Sequence, residues 1–514
     1  MRSARSSRSK FMPARSKFMS ESSKSMCERC PQAVGLLGGG VIGGGWAARF
    51  VLNGIDVRLY GPSSGAVERV QKMLANARRT YQRLTQVPLP AEGALIVVDS
   101  VADAVRGVEL VQESAPERLE LKQQLLADAS RAAAPETLIC SSTSGLRPSL
   151  LQAGIDHPER LLVAHPFNPV HLLPLVELCA GQRTAHEALA RAAEIYRAVG
   201  MHPLIVRKEV DGFIANRLQE AIWREALWLV HEDVATMQEV DEAIRYSFGL
   251  RRAVIGPFRI VGDGIGIRRF LEKWGSVLNS PWTKSTDAPE LSGAFLSKLV
   301  EQADAQTKAD NLTIAELEQK RDDCLTAVLQ ALRAEGFGAG ETLARWEQRL
   351  RDRLTRPADG SGPLRTPVLE MHSDWLDHNG HISEWRYLQL FSNATETLLS
   401  YIGVDSEYRS KSGSYYTVQT NLSYLRELYA GDRIEVLTHI LGADDKRLHI
   451  FHVVTRESDE GRVATCEQML LHVDAVARRS RPVQGKVRER MLELARLHAE
   501  LSRPEPAGTS IGLR

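Results

Sequence analysis

Glycines at 38, 40 and 43 follow a short apolar run, Ala33–Leu37, and lead into a helical pattern from Trp46 to Leu52. In Gly38-Gly39-Gly40-Val41-Ile42-Gly43 the useful chemistry belongs to the backbone. Glycines permit a tight turn and let a pyrophosphate approach the amides at a helix N-terminus. Gly-x-Gly-x-x-Gly between a strand and a helix therefore predicts a dinucleotide site. Further along, Ser144 stands just past the apolar run Leu138–Cys140, and His165 closes the next one, Leu161–Ala164. Ligands of an open α/β sheet bind at the carboxyl ends of its strands, so both side chains can face one cleft. An imidazole with a carboxylate partner accepts a proton near neutral pH, as a general base must.

The elements that must position these groups follow from periodicity. Apolar runs at Asp56–Tyr60, Leu95–Val98, Glu109–Gln112, Leu138–Cys140 and Leu161–Ala164 alternate with helical patterns. That alternation predicts a parallel, doubly wound α/β domain over 32–207. Residues 208–332 read almost wholly helical, an all-α domain. Breakers at Gly336–Gly340 precede a short charged helix, and Arg356–Pro363 is rich in Gly and Pro, so 333–364 is expected to be a linker region. From 365 to 480 one helix pattern, Glu384–Ile402, precedes strands at Ser414–Leu425, Arg433–Leu441, His449–Glu457 and Arg462–Val473. This is an α+β domain with an antiparallel sheet. In the tail, 481–514, Val487–Leu501 has an amphipathic pattern.

Composition excludes several classes. The 514 residues carry 65 basic and 64 acidic side chains, a net charge of +1. A nucleic-acid partner would call for a basic excess, and no run approaches the ~20 apolar residues of a membrane span. Six cysteines in such a length form no disulfide framework and point to a reducing, cytoplasmic setting. The neutral total hides a basic leader: residues 1–30 hold eight basic and two acidic side chains, leaving a net −5 on the rest. Rich in Ser and Arg, residues 1–31 are expected to be disordered. They read either as an extended start, with Met12, Met19 and Met26 as alternative initiators, or as a transit peptide. Cys27 and Cys30 have no second pair nearby, so no metal is expected there.

The strand Val57–Tyr60 runs into Gly61, followed by Ser63 and Ser64, where an acid for the adenosine ribose is expected. No arginine follows Gly61 at once to meet a 2′-phosphate. NAD is the expected cofactor, with NADP left open.

Residues 33–332 resemble the 3-hydroxyacyl-CoA dehydrogenase superfamily, and within it the L-carnitine 3-dehydrogenases. The resemblance is carried by residues 38–49, Gln-Glu-Ser-Ala-Pro-Glu at 112–117, Ser-Ser-Thr-Ser-Gly at 141–145, His-Pro-Phe-Asn-Pro-Val at 165–170, Leu-Val-Glu at 175–177 and Gly-Phe-Ile-Ala-Asn-Arg-Leu at 212–218. It implies a Rossmann domain with an all-α C-terminal domain, and His165 as the base that removes the hydroxyl proton while hydride passes to nicotinamide. Glu177 would orient that histidine, and Ser144 and Asn216 would hold the substrate oxygen. The carnitine branch is suggested by residues 223–228, 246–250 and 281–284. Trp223, Trp228, Tyr246, Phe248 and Trp282 would either face a quaternary ammonium or pack between helices.

The string Asp377-His378-Asn379-Gly380-His381-Ile382, running into Glu384 and Tyr387, resembles the hotdog-fold acyl-CoA thioesterases over 365–475. It is most similar to the betainyl-CoA thioesterases. In such proteins Asp377 would be nucleophile or general base, and amides near Gly380–Ser383 would stabilise the oxyanion. Commoner members carry two asparagines where this chain has Ser383 and Glu384, His381 is expected to position the turn, and Glu427 is a weaker candidate. His372, His449, His452 and His472 fit packing rather than zinc. Together the resemblances imply a bifunctional enzyme, a homodimer, acting on L-carnitine and on betainyl-CoA. The alternative is a dehydrogenase of another 3-hydroxy acid or 3-hydroxyacyl-CoA with a catalytically silent hotdog module.

Overall fold

The computed structural model describes residues 30–508 except 86, 279–282, 284–286, 355–361, 367, 372–374, 460 and 475–476. Met12, Met19, Met26, Cys27, Trp282, His372 and most of the Gly/Pro-rich stretch 356–363 lie outside the described residues.

An eight-stranded sheet has the order β3-β2-β1-β4-β5-β6-β7-β8. Its members are β1 (Ala33–Leu37), β2 (Asp56–Tyr60), β3 (Leu95–Val97), β4 (Leu110–Glu113), β5 (Leu138–Ser141), β6 (Leu161–Pro166), β7 (Leu175–Ala180) and β8 (His202–Val206). Strands such as β1 and β5 are covered on both faces, which is why they read as continuous apolar runs rather than alternating ones. The pairing is parallel except for β6 with β7, which is antiparallel. Neither β7 nor β8 is among the expected strands. A buried acid, Glu177, interrupts the apolar run of β7, and Pro203 sits in β8, which is tolerated because β8 is an edge.

Beyond Val206 the chain is helical. The helix Ala215–His231 buries only Val230 among its residues, whereas the helix Ile314–Ala334 returns to the sheet domain. There the fully buried Asp322 accepts hydrogen bonds from Asn76 (2.7 Å) and Arg321 (2.8 Å) and meets His171 Nε2 at 3.2 Å. The expected linker region, 333–364, contains a packed helix, Ala339–Leu354. Leu343, Trp346 and Leu350 form an apolar stripe among its charges and enter the first core, where Trp346 donates to Asn53 at 2.8 Å. The linker expectation is corrected to that extent.

The second sheet has the order β10-β12-β13-β14-β11, with β9 paired to β12 and β15 to β14. Here β9 is Leu364–Arg365, β10 Leu369–Glu370, β11 Ser414–Tyr424, β12 Arg433–Ala443, β13 Arg447–Arg456, β14 Arg462–Asp474 and β15 Arg479–Ser480. The helix Glu384–Ile402 lies against it, burying Leu398 and Ile402 with Leu448, Ile450 and Leu470. The C-terminal helix, Gly485–Ala499, adds Val487, Met491 and Leu494 to that core, so this part of the tail belongs to the domain. Among the described residues no helix is long and apolar enough to cross a membrane.

Candidate active sites

The glycine loop has the division of labour its spacing predicts. Gly38 has φ +115°, and a Cβ there would lie 2.5 Å from the Ser114 carbonyl oxygen. At Gly43 a Cβ would meet the Gly38 oxygen at 2.0 Å. At Gly40 it would meet nothing within 4 Å, so the loop is open where a pyrophosphate must approach. The helix Val41–Leu52 starts at Gly40 with no side chain capping its amides, and Val41 and Ile42 leave its first turn accessible. Gly39 packs on Ala66. These residues fit a dinucleotide.

His165 and Glu177 meet because β6 and β7 are antiparallel: their register sets the two directly opposite each other. His165 Nδ1 lies 2.9 Å from Glu177 Oε2, and both residues are buried, at 4% and 0% exposure. The other carboxylate oxygen, Oε1, accepts the amides of Ile214 (3.0 Å) and Ala215 (2.9 Å) at the start of the helix Ala215–His231. With Nδ1–H donating to Glu177, Nε2 carries the lone pair that can take a proton. The rings touching His165 are Phe167 (4.8 Å between centroids) and Phe213 (5.5 Å). Phe213 is buried with φ +50°, a left-handed conformation that its packing must hold.

Ser144 is exposed beyond β5, and Asn216 Nδ2 donates to its carbonyl oxygen at 3.3 Å. The sequence reading assigned no role to Glu117, which orders this loop. Its Oε1 accepts the amides of Ser144 (3.0 Å) and Gly145 (3.1 Å) and the Thr143 hydroxyl. Burial pushes the Glu117 carboxyl up, but the Thr143 hydroxyl, Lys122 and the Gly145 amide outweigh it and hold it below the usual range. Lys122, itself buried, reaches Glu117 at 3.4 Å and the buried Glu113 at 2.8 Å. The signal was present as acids at 113 and 117 ahead of a lysine at 122.

The structure describes four of the five expected aromatic candidates. Trp223 and Tyr246 are exposed, Trp228 donates to the Asp287 carbonyl oxygen (2.7 Å), and Phe248 lines an apolar cleft with Ile222, Leu229 and Ile244.

In the second domain Asp377 begins a tight turn closed by Gly380, whose φ is +84°. The Gly380 amide donates to the Asp377 carbonyl oxygen (3.1 Å) and the Asn379 amide to Asp377 Oδ1 (2.7 Å). The turn delivers the carboxylate to the start of the helix Glu384–Ile402. His381 lies between two acids, Nδ1 3.6 Å from Asp377 and Nε2 3.9 Å from Glu427. Partial burial pushes the Asp377 carboxyl up, but the Asn379 amide and the His381 imidazole bring it below the ordinary value. Asp377, His381, Glu384, Tyr387, Tyr424 and Glu427 all line one cavity of about 690 Å³. Burial, and then the Glu384 carboxylate, push the Tyr424 hydroxyl up to about 12.

The expected oxyanion amides need revision. Those of Gly380, Ile382 and Ser383 are taken by the carbonyl oxygens of Asp377, Leu428 and Trp375. The His381 amide is turned to the Asp377 carboxylate, so among the described residues the amides of Glu384 and Trp385 remain for a ligand. His378 is exposed. His449 pairs with Glu467, His472 contacts Tyr408, and His452 is buried between Thr395 and Thr438.

Residues 33–210 match the family 3-hydroxyacyl-CoA dehydrogenase, NAD binding domain, and 212–309 match its C-terminal domain. Residues 372–491 match the thioesterase-like superfamily. The cofactor of the first half is NAD. The chain is 44% identical over 486 residues to an L-carnitine dehydrogenase/betainyl-CoA thioesterase of Rhizobium meliloti, covering 93% of this chain and 98% of that protein. It is 49% identical over 300 residues to an L-carnitine dehydrogenase of Pseudomonas aeruginosa, covering 58% of this chain and 92% of that protein. A solved NAD+-dependent dismutase, 5-formyl-3-hydroxy-2-methylpyridine 4-carboxylic acid 5-dehydrogenase, superposes with TM-score 0.51 at 29% identity, covering 60% of this chain and 99% of that one. With relatives that span both halves at this identity, the chain belongs to the family of L-carnitine dehydrogenase/betainyl-CoA thioesterases.

Proposed function

We propose that the first half oxidises L-carnitine to 3-dehydrocarnitine with NAD, and that the second hydrolyses betainyl-CoA to glycine betaine and CoA. The observation that supports this reading is the His165–Glu177 pair and the Asp377 cavity in a chain whose relatives are named for both activities.

His165 Nε2 removes the proton of the 3-hydroxyl, and the developing imidazolium is stabilised through Nδ1 by Glu177. Bound NAD supplies the hydride acceptor. Ser144 and Asn216 orient the substrate oxygen, and Phe167 and Phe213 keep water from the base. In the second site ionised Asp377 draws a proton from water as its oxygen adds to the thioester carbon. The amides of Glu384 and Trp385 receive the developing oxyanion. Collapse breaks the C–S bond, and the CoA sulfur leaves with the proton. Glu384, Glu427, Tyr387 and Tyr424 give the cavity the acidic and aromatic lining that suits a trimethylammonium acyl group.

The protein acts as a cytoplasmic homodimer. Leu218, Trp223, Leu250 and Val300 are each exposed on the helical domain, an apolar surface that a second copy would cover. Cys140, Cys179 and Cys466 are buried free thiols, as suits a reducing compartment. The test of both sites uses the full chain. His165→Ala should abolish carnitine-dependent NADH formation and spare thioester hydrolysis, and Asp377→Ala the reverse. Loss of both activities from either substitution would reject the two-site assignment.

A further inference from the structure

The adenosine end of the dinucleotide site carries a cation where an acid is usual. β2 ends beside the glycine loop, since the Gly38 amide donates to the Tyr60 carbonyl oxygen at 2.9 Å. The next residue, Gly61, offers no carboxylate to the ribose, and a Cβ there would sit 3.7 Å from the Gly39 nitrogen. Past it the chain turns through Ser63 and Ser64 into Gly65, at φ +70°, and the helix Ala66–Leu84 begins. The first turn of that helix folds Arg69 back over the turn. Arg69 Nη2 donates to Ser63 Oγ (2.9 Å) and Nη1 to the Ser64 carbonyl oxygen (3.0 Å).

Arg69 is solvent-accessible, and no carboxylate among the described residues pairs with it, including its neighbour Glu68. An acid in this place selects NAD by binding the ribose 2′-hydroxyl, and an arginine nearby accommodates a 2′-phosphate. We propose that this nicotinamide site also takes the 2′-phosphorylated dinucleotide, NADP, with Ser63, Ser64 and Arg69 holding the extra phosphate. The two hydroxyls are neutral donors, and the guanidinium supplies charge and the planar fork suited to phosphate. The linear sequence conceals this arrangement because Arg69 stands eight residues beyond Gly61, and only the left-handed turn at Gly65 brings it back.

The proposal rests on the NAD-binding assignment, and the experiment separates the two. NADH and NADPH are titrated into the full-chain protein without substrate, and binding is read from nicotinamide fluorescence. Wild-type protein should bind both saturably. Arg69→Ala should weaken NADPH about tenfold more than NADH, the size of one lost charge-assisted contact. Gly61→Asp should move the ratio in the same direction; its Cβ would lie 3.1 Å from that of Ala66, so a small adjustment is needed and Arg69→Ala is the primary variant. Saturable binding of NADH alone, or an Arg69→Ala effect equal for both dinucleotides, overturns the proposal and leaves the NAD assignment standing. Binding of neither overturns both.

Discussion

Glu177 and Asp377 are the acids of the two sites, and they are held in opposite ways. Glu177 is completely buried, with one oxygen on His165 and the other on two main-chain amides. Asp377 keeps 26% of its side chain in water, on a turn. The first acid touches an imidazole and two amides, whereas the second lines the cavity itself. A buried carboxylate orients well because nothing competes with its partners, but removing a partner leaves a stranded charge. An open carboxylate gains reach and loses that dependence.

The largest test of this contrast is Glu177→Gln. It keeps the shape but can present the wrong group to Nδ1–H, so kcat for carnitine oxidation should fall about 10³- to 10⁴-fold, by analogy with the triad aspartate. A loss below tenfold would mean that burial alone orients His165. Next, Lys122→Met strands the buried Glu113 and loosens Glu117, and should cost about 3–5 kcal/mol in the dehydrogenase half. Two-transition thermal unfolding checks this, since the thioesterase transition should not move.

Asp377→Asn should lower betainyl-CoA hydrolysis by about 10²- to 10³-fold with little change in melting temperature. Because the Asp377 pKa is lowered, its carboxylate stays ionised as pH falls, and hydrolysis should decline only below about pH 4. An inflection between pH 6 and 7 would assign the base to another group. The last test turns on His452, which burial holds down to about 3. Between its unfolded value near 6.5 and about 3, the unfolded chain binds a proton that the folded one does not. Stability of the thioesterase half is therefore intact above about pH 6.5 and lost on acidification, by up to about 1.4 kcal/mol per pH unit from this group. His452→Gln should flatten that slope in pH-dependent chemical denaturation.

Local signals were legible where one element carried the whole message. The glycine loop, the apolar runs of β1, β5 and β6, and the turn from Asp377 to Gly380 each declare themselves within a dozen residues. What escaped depends on tertiary context. Glu177 disguises its own strand because a buried acid looks like a surface one until its partners are known. Glu117 acts on a loop that no short motif links to it, 27 and 28 residues away, and Arg69 meets Ser63 only because the turn at Gly65 folds it back. The helix Ala339–Leu354 hides its apolar stripe among charges because only one of its faces is covered.

The two amides that Glu177 Oε1 accepts belong to the threshold of the helical domain, not to the sheet that holds His165. That makes the carboxylate a rivet between domains: the imidazole is aligned only while the helical half is seated. A chain ending at Lys208 would keep the glycine loop and His165 yet leave Glu177 free to swing. Such a fragment would hold a dinucleotide and have a misaligned base. In the proposed mechanism, proton abstraction would then depend on docking of the same domain that contributes Asn216.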